Sequence, residues 1–257
     1  MKLSIIIPCY NEEKTIKTLL DKIFEIKFPI EREIIVIDDG SIINHKKILK
    51  TEIDAKKIFF IRLPRNQGKG IAIRVGLKYA SGNLFIIQDA DLEYHPSDIP
   101  KLIEPIIKGE VEVVYGSRFF TKPYKMTSFH YFGNIILTKL TNLFYRVDLT
   151  DMETGYKVFS RAVLKNLKLT AREFEFEPEI TAQIILFGYL IKELPIKYHI
   201  REFGYAKINI LDGIESAIVL MKYRYFYDSN LYQFLFKIYK FHFKKIAKKI
   251  LNTFYLT

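Results

Sequence analysis

The sequence contains only one cysteine, Cys9, among its 257 residues. A single cysteine excludes an intrachain disulfide and any zinc site built from several thiolates, and it is typical of a reducing compartment. Charged side chains interrupt every apolar stretch well before the ~18 residues that a membrane-spanning helix needs, so no such helix is predicted. The apolar run at residues 5–7 ends at Pro8 and is too short for a signal peptide. These absences predict a cytoplasmic protein that is at most peripheral to a membrane.

Two phosphate-binding motifs are also missing. The polar loop RNQGKG at residues 65–70 looks superficially like a phosphate loop, but the sequence has neither GxxxxGK[ST] nor GxGxxG. A P-loop kinase and a Rossmann oxidoreductase are therefore disfavoured.

The overall composition is that of a globular protein. Apolar residues make up 49% and charged residues 27%, with a mean hydropathy of +0.04, which is too apolar for global disorder. The length suits one large α/β domain with a sizeable core. Lys and Arg number 40 against 29 Asp and Glu, a net charge of +11 that favours nucleic acid, phosphorylated ligands or an anionic membrane surface as partners.

Short β-branched runs alternate with longer amphipathic stretches, which indicates βαβ units and a mostly parallel sheet flanked by helices. Strands are predicted at residues 3–7, 33–37, 58–63, 84–87, 111–115 and 190–198. Helices are predicted at residues 16–24, 71–79, 133–145 and 178–187, with Asn11 as the N-cap of the first. Polar clusters follow several of these strands, and ligands of open α/β sheets bind outside the carboxyl ends of strands. We therefore expect one ligand-binding crevice at that edge.

Two pairs of acidic residues stand directly after predicted strands. Asp89 and Asp91 lie two positions apart, so in an extended segment both carboxylates face the same side and can hold Mg²⁺ or Mn²⁺. Asp38 and Asp39 follow another strand, where an acidic side chain can accept hydrogen bonds from a ribose or a base. The alternative for each pair is a solvated turn, since Asp favours turns.

The last part of the chain differs in composition. Residues 229–257 contain six lysines, eight Phe or Tyr residues and no acidic residue. Residues 209–257 are therefore predicted to form a basic, amphipathic helical segment that meets a membrane surface, appended to a catalytic domain of residues 1–208. The alternative is a helix whose aromatic face packs on its own domain or on a partner subunit.

Several segments, in their order and spacing, resemble the family 2 glycosyltransferases, and among them the polyprenol-phosphate glycosyltransferases similar to dolichol-phosphate mannosyltransferase. The resemblance covers residues 3–225 and rests on these segments: IIIPCYNEE at 5–13, EIIVIDDGS at 33–41, NQGKGIAIRVGLKYASGN at 66–83, QDADLEYHP at 88–96, YGSRF at 115–119, DMETGYKVF at 151–159, FEFEPEI at 174–180, and the late Arg201 and Lys207.

This resemblance implies a GT-A fold and inverting transfer of a hexose from GDP-mannose or UDP-glucose to a polyprenyl or dolichyl phosphate, with Mg²⁺ or Mn²⁺ as cofactor. The residues that match the family's nucleoside pocket are Pro8, Tyr10, Glu12, Ile37 and Asp39. Those that would hold the metal and diphosphate are Asp89, Ala90 and Asp91, with Glu93 as a further candidate metal ligand. Those that would clamp the donor diphosphate or the acceptor phosphate are Arg118, Arg201 and Lys207. The resemblance also implies an enzyme at the cytoplasmic face of a membrane, with a membrane-embedded protein as a further candidate partner.

Asp151 matches a position where related enzymes place an acid close to the acceptor. It orients the acceptor or serves as a general base, and the alternative is a helix cap or a turn. A departure from the family pattern follows Ser41, where Ile42 and Ile43 replace the usual polar residues, so the base of the donor nucleotide is not fixed by the sequence.

Two other functions stay open at this point. A glycosyltransferase of the same fold could act on a glycan or protein, in which case Asp151 becomes a required base. A non-catalytic nucleic-acid or nucleotide-binding protein would explain the net charge of +11. We expect no nucleic-acid partner, because acidic residues crowd the predicted crevice and the basic residues do not form an RNA-binding motif.

Overall fold

A computed structural model describes residues 1–120, 128–199 and 210–226. Within these ranges helices flank a single sheet of seven strands. The strands are β1 Lys2–Cys9, β2 Glu31–Asp38, β3 Phe59–Arg62, β4 Leu84–Ile87, β5 Val113–Ser117, β6 Lys157–Ser160 and β7 Ile191–Pro195. The helices are α1 Ile16–Glu25, α2 His45–Ile48, α3 Lys50–Asp54, α4 Lys69–Tyr79, α5 Ile99–Ile107, α6 Ser128–Tyr145, α7 Arg161–Asn166, α8 Phe176–Leu186 and α9 Ile210–Tyr225.

The strand order is β3-β2-β1-β4-β6-β5-β7. The first four strands in this order run parallel, β6 runs antiparallel to both of its neighbours, and β7 runs parallel to β5. The predicted α/β class with a mostly parallel central sheet is confirmed.

The core lies on both faces of the sheet, because successive side chains of a strand point in opposite directions. In β1, Ile5 and Ile7 belong to the cluster that includes Leu19 of α1, whereas Ile6 belongs to the cluster that includes Ile73 of α4. A strand covered on both faces has a near-continuous apolar sequence, as residues 3–7 do.

Glu33 ties the amino-terminal edge of the sheet together. Its carboxylate accepts hydrogen bonds from the hydroxyl of Ser4 (2.6 Å) and from the backbone N–H of Ser81 (2.7 Å), and it forms an ion pair with Lys2 (2.6 Å). Burial alone would raise the pKa of Glu33, but these partners outweigh it and lower the pKa to about 2.

The predicted strands and helices each overlap an observed element, with shifts of a few residues at their ends. One prediction is wrong: Asn11 is not the N-cap of α1. Asn11 has a φ of +54°, and its side chain accepts from the backbone N–H of Ile42 (2.9 Å), while Thr15 precedes the helix. Asn favours this left-handed conformation, so it turns the chain before the helix begins. Strand β6 is an element that the sequence pattern did not predict.

Helix α9 packs against α6 and α8. The Tyr223 hydroxyl donates to Glu179 (2.7 Å), and the Tyr145 hydroxyl donates to the carbonyl of Leu220 (2.7 Å). Of the predicted appendage at 209–257, residues 209 and 227–257 lie outside the described part of the chain, and its division from residues 1–208 stays a prediction. None of the described helices is both long enough and apolar enough to span a membrane.

Candidate active site

The candidate site lies at the edge of the sheet where β1, β2 and β4 end. Cys9 at the end of β1 pairs with Asp38 at the end of β2, and the backbone N–H of Gln88, just after β4, donates to the carbonyl of Ile6 (2.9 Å). Because parallel strands end at the same edge, the three loops that follow them lie side by side. The predicted convergence of these polar loops is confirmed.

Asp39 organises the loop that precedes α4. Its two carboxylate oxygens accept from the backbone N–H groups of Gln67 and Gly68, each at 2.8 Å. Gly68 has a φ of +105°, and a Cβ at this position would lie 2.3 Å from the carbonyl oxygen of Arg172, so only glycine fits here. Asp39 is therefore a buried anchor of the loop, and its contact with a nucleoside stays a prediction.

Asp38 has a structural role. It is fully buried and accepts from Arg62 Nη1 (2.9 Å) and from the backbone N–H of Ser41 (3.0 Å), with His45 Nδ1 at 3.5 Å. Burial raises the pKa of Asp38, but the nearby imidazole of His45 and the hydrogen bonds from Ser41 outweigh it, so the pKa lies below its ordinary value.

The remaining residues of the predicted nucleoside pocket lie around the end of β1. Pro8 and Ile37 are paired neighbours in β1 and β2, and the Ile37 side chain is fully buried in the cluster beneath α4. Glu12 is buried, and its carboxylate accepts from the hydroxyl of Thr15 (3.1 Å), whereas Tyr10 is half-buried. Their contacts with a nucleoside stay predictions.

Asp89 and Asp91 follow β4 directly, as predicted. Both are half-buried, while Ala90 between them is buried. Asp91 accepts from the backbone N–H of Glu93 (3.1 Å), and Leu92 adopts a φ of +67°. Positive φ at a leucine is uncommon and costs free energy, and such strain concentrates at functional loops.

Gly155 makes room for the Asp89 carboxylate. A Cβ at position 155 would lie 2.5 Å from Asp89 Oδ2 and 3.2 Å from the ring of Tyr94. The Gly155 backbone N–H donates to the hydroxyl of Tyr94 (3.0 Å), which fixes the glycine at this distance. Asp89 therefore occupies a cradle that a side chain at position 155 would close.

Lys69, the first residue of α4, is a candidate site residue that sequence reasoning missed. Its Nζ lies 2.9 Å from Asp89 Oδ1 and 2.9 Å from Glu177 Oε1, and also 3.2 Å from Asp89 Oδ2. Burial alone would lower the pKa of Lys69, but the charges of Asp89 and Glu177 outweigh it and raise the pKa well above its ordinary value. The segment NQGKG contains Lys69 and the segment FEFEPEI contains Glu177, but neither segment indicates that these two side chains meet.

Two further titratable residues, Glu153 and Lys157, lie close to Lys69 and Glu177. Burial, together with the charge of Glu177, raises the pKa of Glu153 to about 8. Burial lowers the pKa of Lys157 to about 8, and its ammonium donates to the carbonyl of Met152 (2.7 Å). Glu153 Oε1 and Glu177 Oε2 are both buried without a protein hydrogen-bond partner. The cluster thus holds more acceptors than the protein itself satisfies.

Arg118 and Asp151 form a buried, bidentate ion pair. Arg118 donates to Asp151 through Nε and Nη2, each at 2.7 Å, and through its backbone N–H at 3.0 Å. The rings of Tyr94 and Tyr198 lie 5.9 and 5.6 Å from the guanidinium carbon. Asp151 is fully buried and orients Arg118, and its predicted role near the acceptor stays a prediction.

Glu93 has a partner of its own. Its Oε2 accepts from the Tyr198 hydroxyl (3.0 Å), and its carbonyl accepts from the backbone N–H of His199 (2.8 Å). Among the described residues, no three Asp, Glu, His or Cys side chains come close enough together to hold a metal ion. The role of Glu93 as a further metal ligand stays a prediction.

The residues present nevertheless fit a divalent cation that takes part of its coordination from a ligand. Mg²⁺ and Mn²⁺ commonly bind through one or two carboxylates, with water and substrate phosphates completing the shell. Asp89 already pairs with the ammonium of Lys69, and the buried oxygens of Glu153 and Glu177 that lack a protein hydrogen-bond partner leave the region rich in acceptors. Arg201 and Lys207, the other predicted phosphate ligands, lie outside the described residues.

Comparison with known proteins places the chain in a family. The family model described as glycosyl transferase family 2 matches residues 4–168. The chain is 33% identical over 233 residues to the UDP-N-acetylglucosamine–dolichyl-phosphate N-acetylglucosaminyltransferase of Methanococcus voltae, an alignment that covers 82% of this chain and 91% of the relative. The chain therefore belongs to glycosyl transferase family 2, and the predicted family and enzyme class are confirmed.

Two further relatives are longer than this chain. A dodecaprenyl-phosphate galacturonate synthase of Rhizobium johnstonii is 27% identical over 236 residues, with 88% of this chain and 67% of the relative covered. A dolichol-phosphate mannosyltransferase of Pyrococcus furiosus is 29% identical over 239 residues, with 87% of this chain and 64% of the relative covered.

A solved structure has the same fold. The glucosyl-3-phosphoglycerate synthase of Mycobacterium tuberculosis, crystallised with Mn²⁺, UDP and glucosyl-3-phosphoglycerate, superposes with a TM-score of 0.68 at 21% identity. The superposition covers 87% of this chain and 80% of the other. The predicted glycosyltransferase fold of GT-A type is confirmed.

Proposed function

We propose that this family 2 glycosyltransferase transfers a hexose, with inversion, from a nucleoside diphosphate sugar to the phosphate of a polyprenyl or dolichyl phosphate. The proposed donors are GDP-mannose and UDP-glucose. The three relatives described above all carry a dolichyl, dolichol or dodecaprenyl phosphate in their names, which supports this class of acceptor.

The observation that carries the proposal is the engagement of Asp151. A sugar or protein hydroxyl needs a general base before it can attack, and that base must reach the hydroxyl proton. Asp151 is fully buried, and both of its oxygens accept from Arg118 at 2.7 Å. Glu153, whose pKa burial raises to about 8, is mostly protonated at neutral pH. An acceptor that is already anionic needs neither carboxylate as a base.

The donor end of the site supports the same reaction. Asp89 and Asp91 are the residues that would hold Mg²⁺ or Mn²⁺, a cofactor that neutralises charge on the departing nucleoside diphosphate when it is bound. The proposed nucleoside pocket lies beside the loop anchored by Asp39, next to the end of β2. Tyr10 and Glu12, which follow the end of β1, are proposed to line the same pocket.

At the acceptor end, the proposed phosphate ligands are Arg118, Arg201 and Lys207. Arg118 is already oriented by Asp151, so binding an acceptor phosphate requires little ordering of this long side chain. An acceptor phosphate oxygen then attacks the anomeric carbon while the bond from that carbon to the diphosphate oxygen breaks. The electron pair of that bond leaves with the nucleoside diphosphate.

The proposed location is the cytoplasmic face of a membrane, where a long-chain polyprenyl phosphate resides. The six lysines and eight aromatic residues of residues 229–257 suit an anionic lipid surface. Full-length protein is expected to co-sediment with anionic liposomes more strongly than a chain ending at residue 226. Equal sedimentation of the two would contradict lipid contact by this segment and favour a membrane-embedded protein partner.

The activity test uses radiolabelled GDP-mannose and UDP-glucose with dolichyl phosphate, Mn²⁺ or EDTA, and counts the label extracted into organic solvent. Transfer from one donor, lost with EDTA, is the expected result. Asp91→Asn should abolish transfer without lowering Tm, whereas the matched control Asp54→Asn, exposed on α3, should keep full activity. Undiminished transfer by Asp91→Asn would overturn the metal assignment, and label appearing only on water-soluble acceptors would overturn the acceptor.

A further inference from the structure

Lys69 forms ion pairs with two carboxylates, Asp89 and Glu177, and only Asp89 is a proposed metal ligand. Its Nζ lies at the same distance, 2.9 Å, from Asp89 Oδ1 and from Glu177 Oε1. The three side chains are at most 17% exposed, so water screens their charges weakly. Lys69 begins α4 and Glu177 lies in the first turn of α8, and both helices are packed against the core, so this geometry is held by rigid elements.

A lysine in this position has two opposite effects on a metal site. It holds the Asp89 carboxylate in place, but its positive charge also neutralises the oxygens that a divalent cation needs. If Lys69 paired with Asp89 alone, the ammonium would compete directly with the cation for Asp89. The second carboxylate decides which effect prevails.

Glu177 has the capacity to take Lys69 away from Asp89. One of its oxygens already binds the ammonium, and its other oxygen, Oε2, is buried without a protein hydrogen-bond partner. A buried carboxylate oxygen without a donor is costly, so Glu177 gains free energy when the lysine moves toward it. Asp89 is then left to the cation, while Lys69 keeps its ion pair with Glu177.

We propose that Glu177 is a positioning residue that receives Lys69 from Asp89 and so allows Asp89 to bind the divalent cation. This inference rests on the proposed function, because it requires a cation at Asp89. It assigns the FEPE segment at the start of α8 to control of metal binding, at a position more than eighty residues after the proposed metal ligands.

The test is a double-mutant cycle read as Mn²⁺ binding, not as activity. Free Mn²⁺ is measured by electron paramagnetic resonance in titrations of the full-length protein with saturating UDP, and separately with GDP. Glu177→Gln should weaken Mn²⁺ binding by about tenfold, at the low end of the loss seen when an outer partner of a metal ligand is removed. The variant Glu177→Gln with Lys69→Met should bind Mn²⁺ within about threefold of wild type, because the competing ammonium is gone.

Two further variants keep the inference falsifiable if Glu177→Gln fails to fold. Lys69→Met alone should bind Mn²⁺ at least as tightly as wild type. Glu177→Asp, which keeps the charge but shortens the side chain, should weaken binding less than tenfold on the same basis. The control Glu104→Gln removes one exposed acidic charge elsewhere and should bind like wild type.

The outcomes separate this inference from the proposed function. If wild type binds no Mn²⁺ with either nucleotide, the metal assignment fails and the inference fails with it. If wild type binds but Glu177→Gln binds equally well, only the inference is overturned. It is also overturned if the double variant stays as weak as Glu177→Gln, since a merely structural role of Glu177 gives that result.

Discussion

Replacing Asp151 by asparagine tests whether this residue is a base or a support for Arg118. Asp151 accepts three hydrogen bonds from Arg118, at 2.7, 2.7 and 3.0 Å, and is itself fully buried. An asparagine has nearly the same shape but no charge and only one acceptor oxygen. The guanidinium, with 8% of its side chain exposed, would lose its counter-charge and at least one of its hydrogen bonds.

The loss of stability follows from the burial of the Arg118–Asp151 ion pair. Removing one partner of a buried ion pair leaves an uncompensated charge and costs about 3–5 kcal/mol. The retained acceptor oxygen favours the lower end of this range, so Asp151→Asn should lower the free energy of unfolding by about 3 kcal/mol and Tm by roughly 6–12 °C. Adding Arg118→Met removes the orphaned charge, so the double variant should be more stable than Asp151→Asn alone.

The kinetic assay is the pH dependence of kcat/KM for sugar transfer to dolichyl phosphate. A phosphate monoester loses its second proton near pH ~6, so the acidic limb of the profile should come from the acceptor. Asp151→Asn should lower kcat/KM on the order of 10- to 100-fold, like other losses of a supporting partner, with the acidic limb unchanged. The matched control Asp148→Asn, exposed in the same loop, should leave both activity and profile unchanged.

The opposite result would refute this reasoning. If Asp151 takes a proton during the reaction, the acidic limb comes from Asp151 and disappears in Asp151→Asn. Full activity of Asp151→Asn would equally contradict a supporting role, because Arg118 would then need no orientation.

Two further predictions concern single contacts. Glu33→Gln should lower the free energy of unfolding at pH 7 by about 1–2 kcal/mol, a figure reduced from the full pKa shift because the side chain is partly exposed. Since the folded-state pKa of Glu33 is lowered to about 2, the difference from wild type in urea unfolding should be complete above pH ~4.5 and shrink as pH falls toward ~2; a gap independent of pH would contradict it. Gly155→Ala should weaken Mn²⁺ binding by about tenfold, because the added Cβ would lie 2.5 Å from Asp89 Oδ2, and should destabilise the fold by about 1–3 kcal/mol. In the control Gly133→Ala on α6, the added Cβ has no atom within 4 Å. Equal Mn²⁺ binding by the two variants would contradict the steric explanation.

The parallel half of the sheet could be predicted from sequence because local pattern and burial agree there. Residues 3–7 and 84–87 are apolar runs covered on both faces, and the polar residues that follow them mark the ends of the strands. The position of Asp89 and Asp91 follows from the same pattern, because a residue directly after a buried parallel strand lies at the carboxyl edge of the sheet.

Strand β6 could not be predicted in the same way. It is only four residues long, Lys157–Ser160, and contains a buried lysine, so neither alternation nor a continuous apolar run marks it. Its lysine is tolerated because backbone carbonyls and the ring of Tyr115, 4.6 Å away, accept the charge. These partners come from tertiary structure, which a local pattern does not contain.

The direction of β6 explains why Glu153 and Gly155, which sequence reasoning missed, lie in one site with the predicted residues Asp89, Arg118 and Asp151. Because β6 runs antiparallel to β4 and β5, its start lies at the edge where those two strands end: Ile86 pairs with Val158, and Tyr115 with Lys157. The loop just before β6 therefore carries Asp151, Glu153 and Gly155 to the residues that follow β4 and β5. Had β6 been parallel, that loop would lie at the opposite edge, and neither the Arg118 pair nor the cradle of Asp89 could form. The chemistry of this edge thus depends on one reversed strand as much as on the acidic residues after β4.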